Sequence, residues 1–162
     1  FMARTPTGRI WESRSVDDGK TWADPKPSAL VHPDAPPMVF HLSDDKTLIA
    51  FHHNRHINTQ YVGLTGKMDG MRDRAEIWIS LSKDGGRNWS EPQFLFTNVT
   101  RFNPAKNGWF NHNSSYMDAV IDGGTIHLFL PHLWNRALYM HLEEKDLTKL
   151  PTAQKLARRL AK

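Results

Sequence analysis

Cysteine is absent from the chain, which excludes a disulfide scaffold and a thiolate metal site. No run of 18 apolar residues occurs either, so no membrane-spanning helix is encoded. Neither sign of charge dominates: 21 Lys and Arg stand against 17 Asp and Glu, a net +4. Four of the cations, Lys155, Arg158, Arg159 and Lys162, fall in the last eight residues, and the remainder balances at 17 to 17. A nucleic-acid surface needs clustered cations interleaved with stacking aromatics. The body of the chain holds no such block, so neither nucleic acid nor membrane is an expected partner. The basic tail at 149–162, with Leu156 and Leu160 one helical turn apart, reads as a short amphipathic helix ending in solvent. No Met precedes Phe1 and no signal-peptide pattern follows it, so the start reads as cut from something longer.

What is present suffices for one domain: 162 residues, 39% hydrophobic and 10% aromatic. Six Trp and nine His are unusual counts, and ten Pro and ten Gly scattered along the chain predict many short strands joined by turns.

A repeat organises the chain. Residues 10–25 (IWESRSVDDGKTWADP) and 77–92 (IWISLSKDGGRNWSEP) agree at eight of 16 positions, 67 residues apart. Each copy predicts a Trp-bearing strand, Ile10 to Ser15 and Ile77 to Ser82, running into Asp17-Asp18-Gly19 or Asp84-Gly85-Gly86. Those turns need positive φ, which Gly adopts without steric penalty. The Ser and Asp side chains can cap turn amides while the second Trp folds back over the hairpin.

The spacing S-x-D-x-G-x-x-W, met at Ser15/Asp17/Gly19/Trp22 and Ser82/Asp84/Gly86/Trp89, resembles the Asp box of the sialidase-like Asp-box (BNR) repeat family. The resemblance covers about residues 2–147 and is to the C-terminal half of bacterial exo-α-sialidases and glycosyl hydrolases. It implies an all-β fold, a β-propeller fragment of about two and a half four-stranded blades from a six-bladed propeller, spanning residues 1–148. It also implies a secreted or periplasmic location. In such propellers the boxes lie on the outer rim, so Asp17 and Asp84 are expected to cap turns, not to catalyse.

Strand patterns fit blades. Ala35 to Leu42, Thr47 to His53, Ile77 to Ser82 and Gln93 to Thr97 make one blade, with a long loop from His56 to Arg74. Ser115 to Ile121, Thr125 to Leu130 and Ala137 to Leu142 make three strands of the next, and the first box belongs to a preceding blade. Closed propellers need about four to eight blades, so the remainder of the propeller or a second copy of the chain is an expected partner.

Three arginines stand ahead of box-type strands: Arg4, Arg72 and Arg136, spaced 68 and 64 residues apart, close to the repeat of 67. Converging guanidiniums bind a carboxylate bidentately, and the resemblance implies a clamp on an acidic sugar. Arg74 is an alternative to Arg72. Tyr116 is the candidate nucleophile implied by the resemblance, with Asp118 two residues on as a candidate partner. His53 and His112 are candidate acid or base groups, and Asn54 and Asn113 candidate sugar-hydroxyl ligands. Nothing spaces like HExxH, so neither metal nor other cofactor is expected.

The resemblance leads to an exo-sialidase-like hydrolase of terminal acidic sugars. The His/Tyr/Arg inventory equally suits a lyase on uronate-containing polysaccharide, and a non-catalytic glycan-binding propeller is the third reading. An acid/base Asp and a Glu beside the Tyr, which sialidases require, have no counterpart in the chain.

Overall fold

A computed structural model describes residues 1–54, 74, 76–97, 114, 116–132 and 136–160. These residues form three antiparallel sheets. The first holds β1 (Met2–Ala3), β2 (Arg9–Glu12) and β3 (Lys26–Val31), in that order. The second holds β4 (Met38–His41), β5 (Leu48–His52), β6 (Glu76–Ser82) and β7 (Gln93–Thr97). The third holds β8 (Asp118–Asp122), β9 (Thr125–His132) and β10 (Arg136–Glu143). Every neighbour is also next in sequence, as hairpin after hairpin dictates. The chain is all-β, and its sheets fit a fragment of a propeller.

Burial explains the sequence pattern of each sheet. The second sheet is covered on both faces, so Leu48-Ile49-Ala50-Phe51 reads as a continuous apolar run. Ile49, Phe51, Ile77 and Ile79 pack against Ala119, Ile126, Leu128 and Leu130 of the third sheet. Ala50 packs the other way, with Ile10 and Leu30 of the first. Burying Ile49 or Phe51 contributes about 1.5–3 kcal/mol each. In the third sheet Ile126, Leu128 and Leu130 are buried while Phe129 is exposed, the alternation of a sheet covered on one side.

Polar ties fix the sheets end to end. Arg14, just ahead of the first box, donates to the Gly85 carbonyl of the second at 2.8 Å. Glu144 accepts from the Ser43 amide and hydroxyl at 2.8 and 2.9 Å, and the Ser43 hydroxyl accepts from the Gly124 amide at 3.0 Å. Thus the β4–β5 turn of the second sheet meets the β8–β9 turn of the third.

The boxes fold as turn chemistry requires. Ser15 donates to Asp17 at 2.7 Å, and Asp17 accepts from the Thr21 amide and hydroxyl at 2.9 and 2.6 Å. In the second box Ser82 donates to Asp84 at 2.8 Å, and Asn88 donates to it from its backbone and side-chain amides at 2.9 and 2.6 Å. Gly19 and Gly86 carry φ of +83° and +81°.

Sequence reasoning did not single out β1 or β3, and three strand bounds differ from expectation by three residues, the first at β2, which ends at Glu12 and not at Ser15. The strand expected from Ser115 begins at Asp118, because Tyr116 adopts a left-handed φ of +64° that no strand accommodates. The strand expected from Ala35 begins at Met38, after the Pro36-Pro37 pair that withholds two amide donors. The C-terminal segment also docks more than a solvated tail would. After a 3-10 helix (Glu144–Lys149), Pro151 accepts from the Phe94 amide at 2.8 Å and Thr152 bridges Gln93, covering the start of edge strand β7. Helix α1 (Ala153–Leu160) follows, with Gln154, Lys155 and Arg158 in solvent.

Candidate functional site

The antiparallel order puts the end of β5 beside the start of β6 and the end of β3. His52 and His53 therefore arrive at the end of the sheets opposite the boxes, at the seam between the first two sheets. His52 donates through Nδ1 to the Val31 carbonyl at 3.1 Å and accepts at Nε2 from the Ser80 hydroxyl at 3.0 Å. The amide of His53 donates to Nδ1 of His32 at 3.2 Å, so the His32 proton sits on Nε2, which donates to the Ala35 carbonyl at 2.9 Å. The His53 ring stacks on His32 with centroids 5.0 Å apart. His53 Nδ1 donates to the Glu76 carbonyl at 2.7 Å, leaving the Nε2 lone pair buried and without a hydrogen bond among the described residues.

All three imidazoles are neutral near pH 7. Burial is the main cause: it holds His52 and His53 at about 4 against an ordinary 6.5. The hydrogen bond to Glu76 opposes that shift at His53, and the nearby Arg74 charge adds to it. His32 lies well below its ordinary value, through burial and then through repulsion from His53 and His52.

Two arginines from successive sheets hold Asp34 through different groups, and one of them, Arg74, is close to His53. Arg4, between β1 and β2, pairs through Nε with the Asp34 carboxylate at 3.2 Å. Arg74, just ahead of β6, is fully buried, and its guanidinium donates to the Asp34 carbonyl. The Arg74 carbonyl in turn accepts from the Ser114 amide at 2.9 Å. A buried guanidinium on a backbone carbonyl is fixed in place; the half-exposed Arg4 can exchange Asp34 for another carboxylate.

The remaining predicted residues fall as follows. Tyr116 is 52% exposed, outside the strand it was expected to open. Asp118 accepts from the Ala119 amide at 2.8 Å and thus caps the start of β8. Asn54 follows His53 with φ of +48°, a conformation Asn tolerates better than most residues. Arg136 stands exposed at the head of β10. Arg72, His112 and Asn113 lie outside the described residues. Arg74, the alternative to Arg72, is the arginine at the His53 cluster.

Sequence reasoning did not single out His32, Asp34, Ser80 or Ser114. The available signal was Val31-His32-Pro33-Asp34, polar residues placed at the end of a strand ahead of a proline-rich link. A cleft of about 570 Å³ lies elsewhere, between the two box hairpins, walled by Arg14, Trp22, Val39, Leu48 and Arg87 among others. It takes in none of the predicted residues.

Residues 1–128 match the family described as a BNR repeat-like domain. No curated protein matches the chain.

Proposed function

Because the chain belongs to the BNR repeat-like domain family, we propose that its His/Arg end binds the carboxylate of an acidic sugar and that the protein is a sialidase-like glycoside hydrolase. A propeller of six blades, of which this chain supplies about two and a half, is the frame for that reading. Its family includes sialidase-like glycosyl hydrolases and other carbohydrate-related proteins.

One observation carries the proposal: Arg4 pairs with the Asp34 carboxylate, while Arg74, from the next sheet and close to the neutral His53, holds the backbone carbonyl of the same residue. Asp34 stands in that arrangement as the carboxylate a ligand would replace. Arg4 offers it a guanidinium already oriented by an ion pair, and Arg74 holds the backbone beneath it. Arg136, exposed at the head of β10, is the third member of the clamp, with Arg72 outside the described residues. Asn54 and Asn113 would bind sugar hydroxyls. Tyr116, with its exposed ring, is the proposed nucleophile: its phenolic oxygen bonds the anomeric carbon as its proton passes to a base, the glycosidic C–O bond breaks with a general acid protonating the leaving oxygen, and water then cleaves the sugar–tyrosine bond, the phenol regaining its proton; the acid and base would come from the remainder of the propeller.

A second reading has its own support. No described residue hydrogen-bonds the Nε2 of the neutral His53, and in this reading it is the base for the C5 proton of a uronate once the seam that buries the ring opens to substrate. Such a lyase would leave an unsaturated product absorbing in the ultraviolet, which hydrolysis does not.

The test is binding and turnover by the full chain. N-acetylneuraminic acid and glucuronic acid titrated calorimetrically should bind, and Arg4→Ala should weaken binding. A fluorogenic sialoside should be turned over once the remainder of the propeller supplies the acid/base Asp and the Glu, and Tyr116→Phe should abolish that turnover. Binding without turnover of either sugar class would leave a non-catalytic glycan receptor; no binding at all would overturn the proposal.

A further inference from the structure

The link that leaves β3 after His32 and enters β4 reads Pro33-Asp34-Ala35-Pro36-Pro37, and its three prolines have no amide to donate. So few donors cannot brace it, and side chains from elsewhere do. The His32 ring donates through Nε2 to the Ala35 carbonyl at 2.9 Å, and Arg74, ahead of β6, donates to the Asp34 carbonyl. Within the link the Ala35 amide donates to the Pro33 carbonyl at 2.7 Å, which closes a three-residue turn with Asp34 at its centre.

Burial divides the turn in the same way. His32, Pro33 and Ala35 are buried, whereas the Asp34 side chain between them is 39% exposed. The backbone of Asp34 is therefore anchored on both sides, and only its carboxylate is free to turn. It meets Arg4 through Nε at 3.2 Å. A pair this exposed favours the closed arrangement by no more than about fivefold, so another carboxylate can open it.

We propose that Asp34 is an internal competitor for Arg4 and that His32 is the positioning residue that keeps it there. The inference rests on the acidic-sugar reading above and adds its regulation. Exchange needs one side-chain rotation and no movement of the link, because His32 and Arg74 keep their hold on the backbone throughout. Asp34 thereby sets a threshold. A ligand that offers Arg4 one oxygen gains little over the resident carboxylate, whereas one that engages the guanidinium with both oxygens and adds hydroxyl contacts exceeds it.

The experiment titrates N-acetylneuraminic acid and glucuronic acid calorimetrically into the full chain, with the methyl ester of each as the uncharged control. Asp34→Asn keeps the shape and removes the competitor. Affinity for both acids should rise by about two- to fivefold, and affinity for the esters should not change. His32→Asn, too short to reach the Ala35 carbonyl, should give a similar rise with no change of charge. His32→Gln, whose amide can take the place of Nε2, should return the affinity of the unaltered protein. In the Asp34→Asn background His32→Asn should add nothing, because its effect passes through Asp34. Thermal melts check that each variant is folded, and Pro33→Ala loosens the turn if His32→Asn is not.

Acids that bind the unaltered protein and bind Asp34→Asn no better overturn the inference and leave the acidic-sugar reading standing, with Asp34 orienting Arg4. Esters that gain as much as the acids, or a His32→Asn gain that persists without Asp34, also overturn it. Acids that bind no variant, Asp34→Asn included, overturn the acidic-sugar reading itself and this inference with it.

Discussion

His53 donates its amide to the ring of His32 and lies stacked on that same ring, 5.0 Å away. The hydrogen bond needs an unprotonated Nδ1 on His32, so this seam between two sheets holds only while that imidazole is neutral. Acid should therefore loosen it. The native protein keeps His52 and His53 neutral down to about pH 4, whereas the unfolded chain takes up protons near 6.5. Between those values the unfolded state holds more protons, so stability is full above 6.5 and is lost as pH falls toward 4. At about 1.4 kcal/mol per pH unit, each of the two contributes on the order of 3 kcal/mol at most. Urea unfolding from pH 8 to 4 should show that decline, and His52→Asn should flatten it. A midpoint constant across the window would refute the neutral seam.

Loss of acid stability at lower pH has a separate origin. Asp17 and Asp84 are held at about 2, the first chiefly by the Thr21 hydroxyl and the second chiefly by the Asn88 amide. Their contribution is present above pH 4 and disappears as pH falls through 2, below the histidine window. Asp84→Asn should thus lower the melting temperature at pH 7 while leaving the slope between 6.5 and 4 unchanged. It should also leave sugar binding intact, because the box lies at the other end of the sheets.

The boxes were legible because their chemistry is local. Ser, Asp, Gly and Trp act within eight residues of one another, so spacing alone specifies the turn. The central strands were legible for a similar reason, since a sheet covered on both sides writes a continuous apolar run at Leu48 to Phe51, whereas the two-residue β1 and the half-exposed β3 write none. His32 and Asp34 were not, because their meaning depends on partners 21 and 40 residues away. Nor does Tyr116 announce its left-handed backbone: a tyrosine there costs about 1–2 kcal/mol that local sequence gives no reason to expect. The same argument explains Arg74. Nothing in the local sequence separates it from Arg72, and its burial against the Asp34 carbonyl depends on a residue 40 positions earlier.

Glycine substitutions separate backbone strain from crowding. Gly19, Gly86 and Gly123 have φ of +83°, +81° and +56°, so alanine at each costs about 1–2 kcal/mol. A Cβ at Gly86 would lie 3.3 Å from the Trp89 ring, at Gly19 3.8 Å from Trp22, and at Gly123 near nothing within 4 Å. Gly86→Ala should therefore lose roughly 1 kcal/mol more than the other two. Equal losses in urea titrations would show that Trp89 yields freely.

Arg4 and Arg74 share Asp34 but should respond differently to removal. The Arg4 ion pair is about half exposed, and such pairs contribute about 0–1 kcal/mol, so Arg4→Ala should barely change the melting temperature. Its effect should fall on affinity for the sugar carboxylate. Arg74 is wholly buried with its guanidinium on a backbone carbonyl, and Arg74→Ala leaves a cavity and an unpaired Asp34 carbonyl, costing about 3 kcal/mol or more. Arg74→Lys should recover little, because one ammonium cannot reproduce a planar fork. Calorimetric titration and thermal melts on the same samples separate the two roles. If Arg4→Ala binds acidic sugars as well as the unaltered protein, the convergence on Asp34 is a structural joint and the carboxylate clamp must be sought elsewhere.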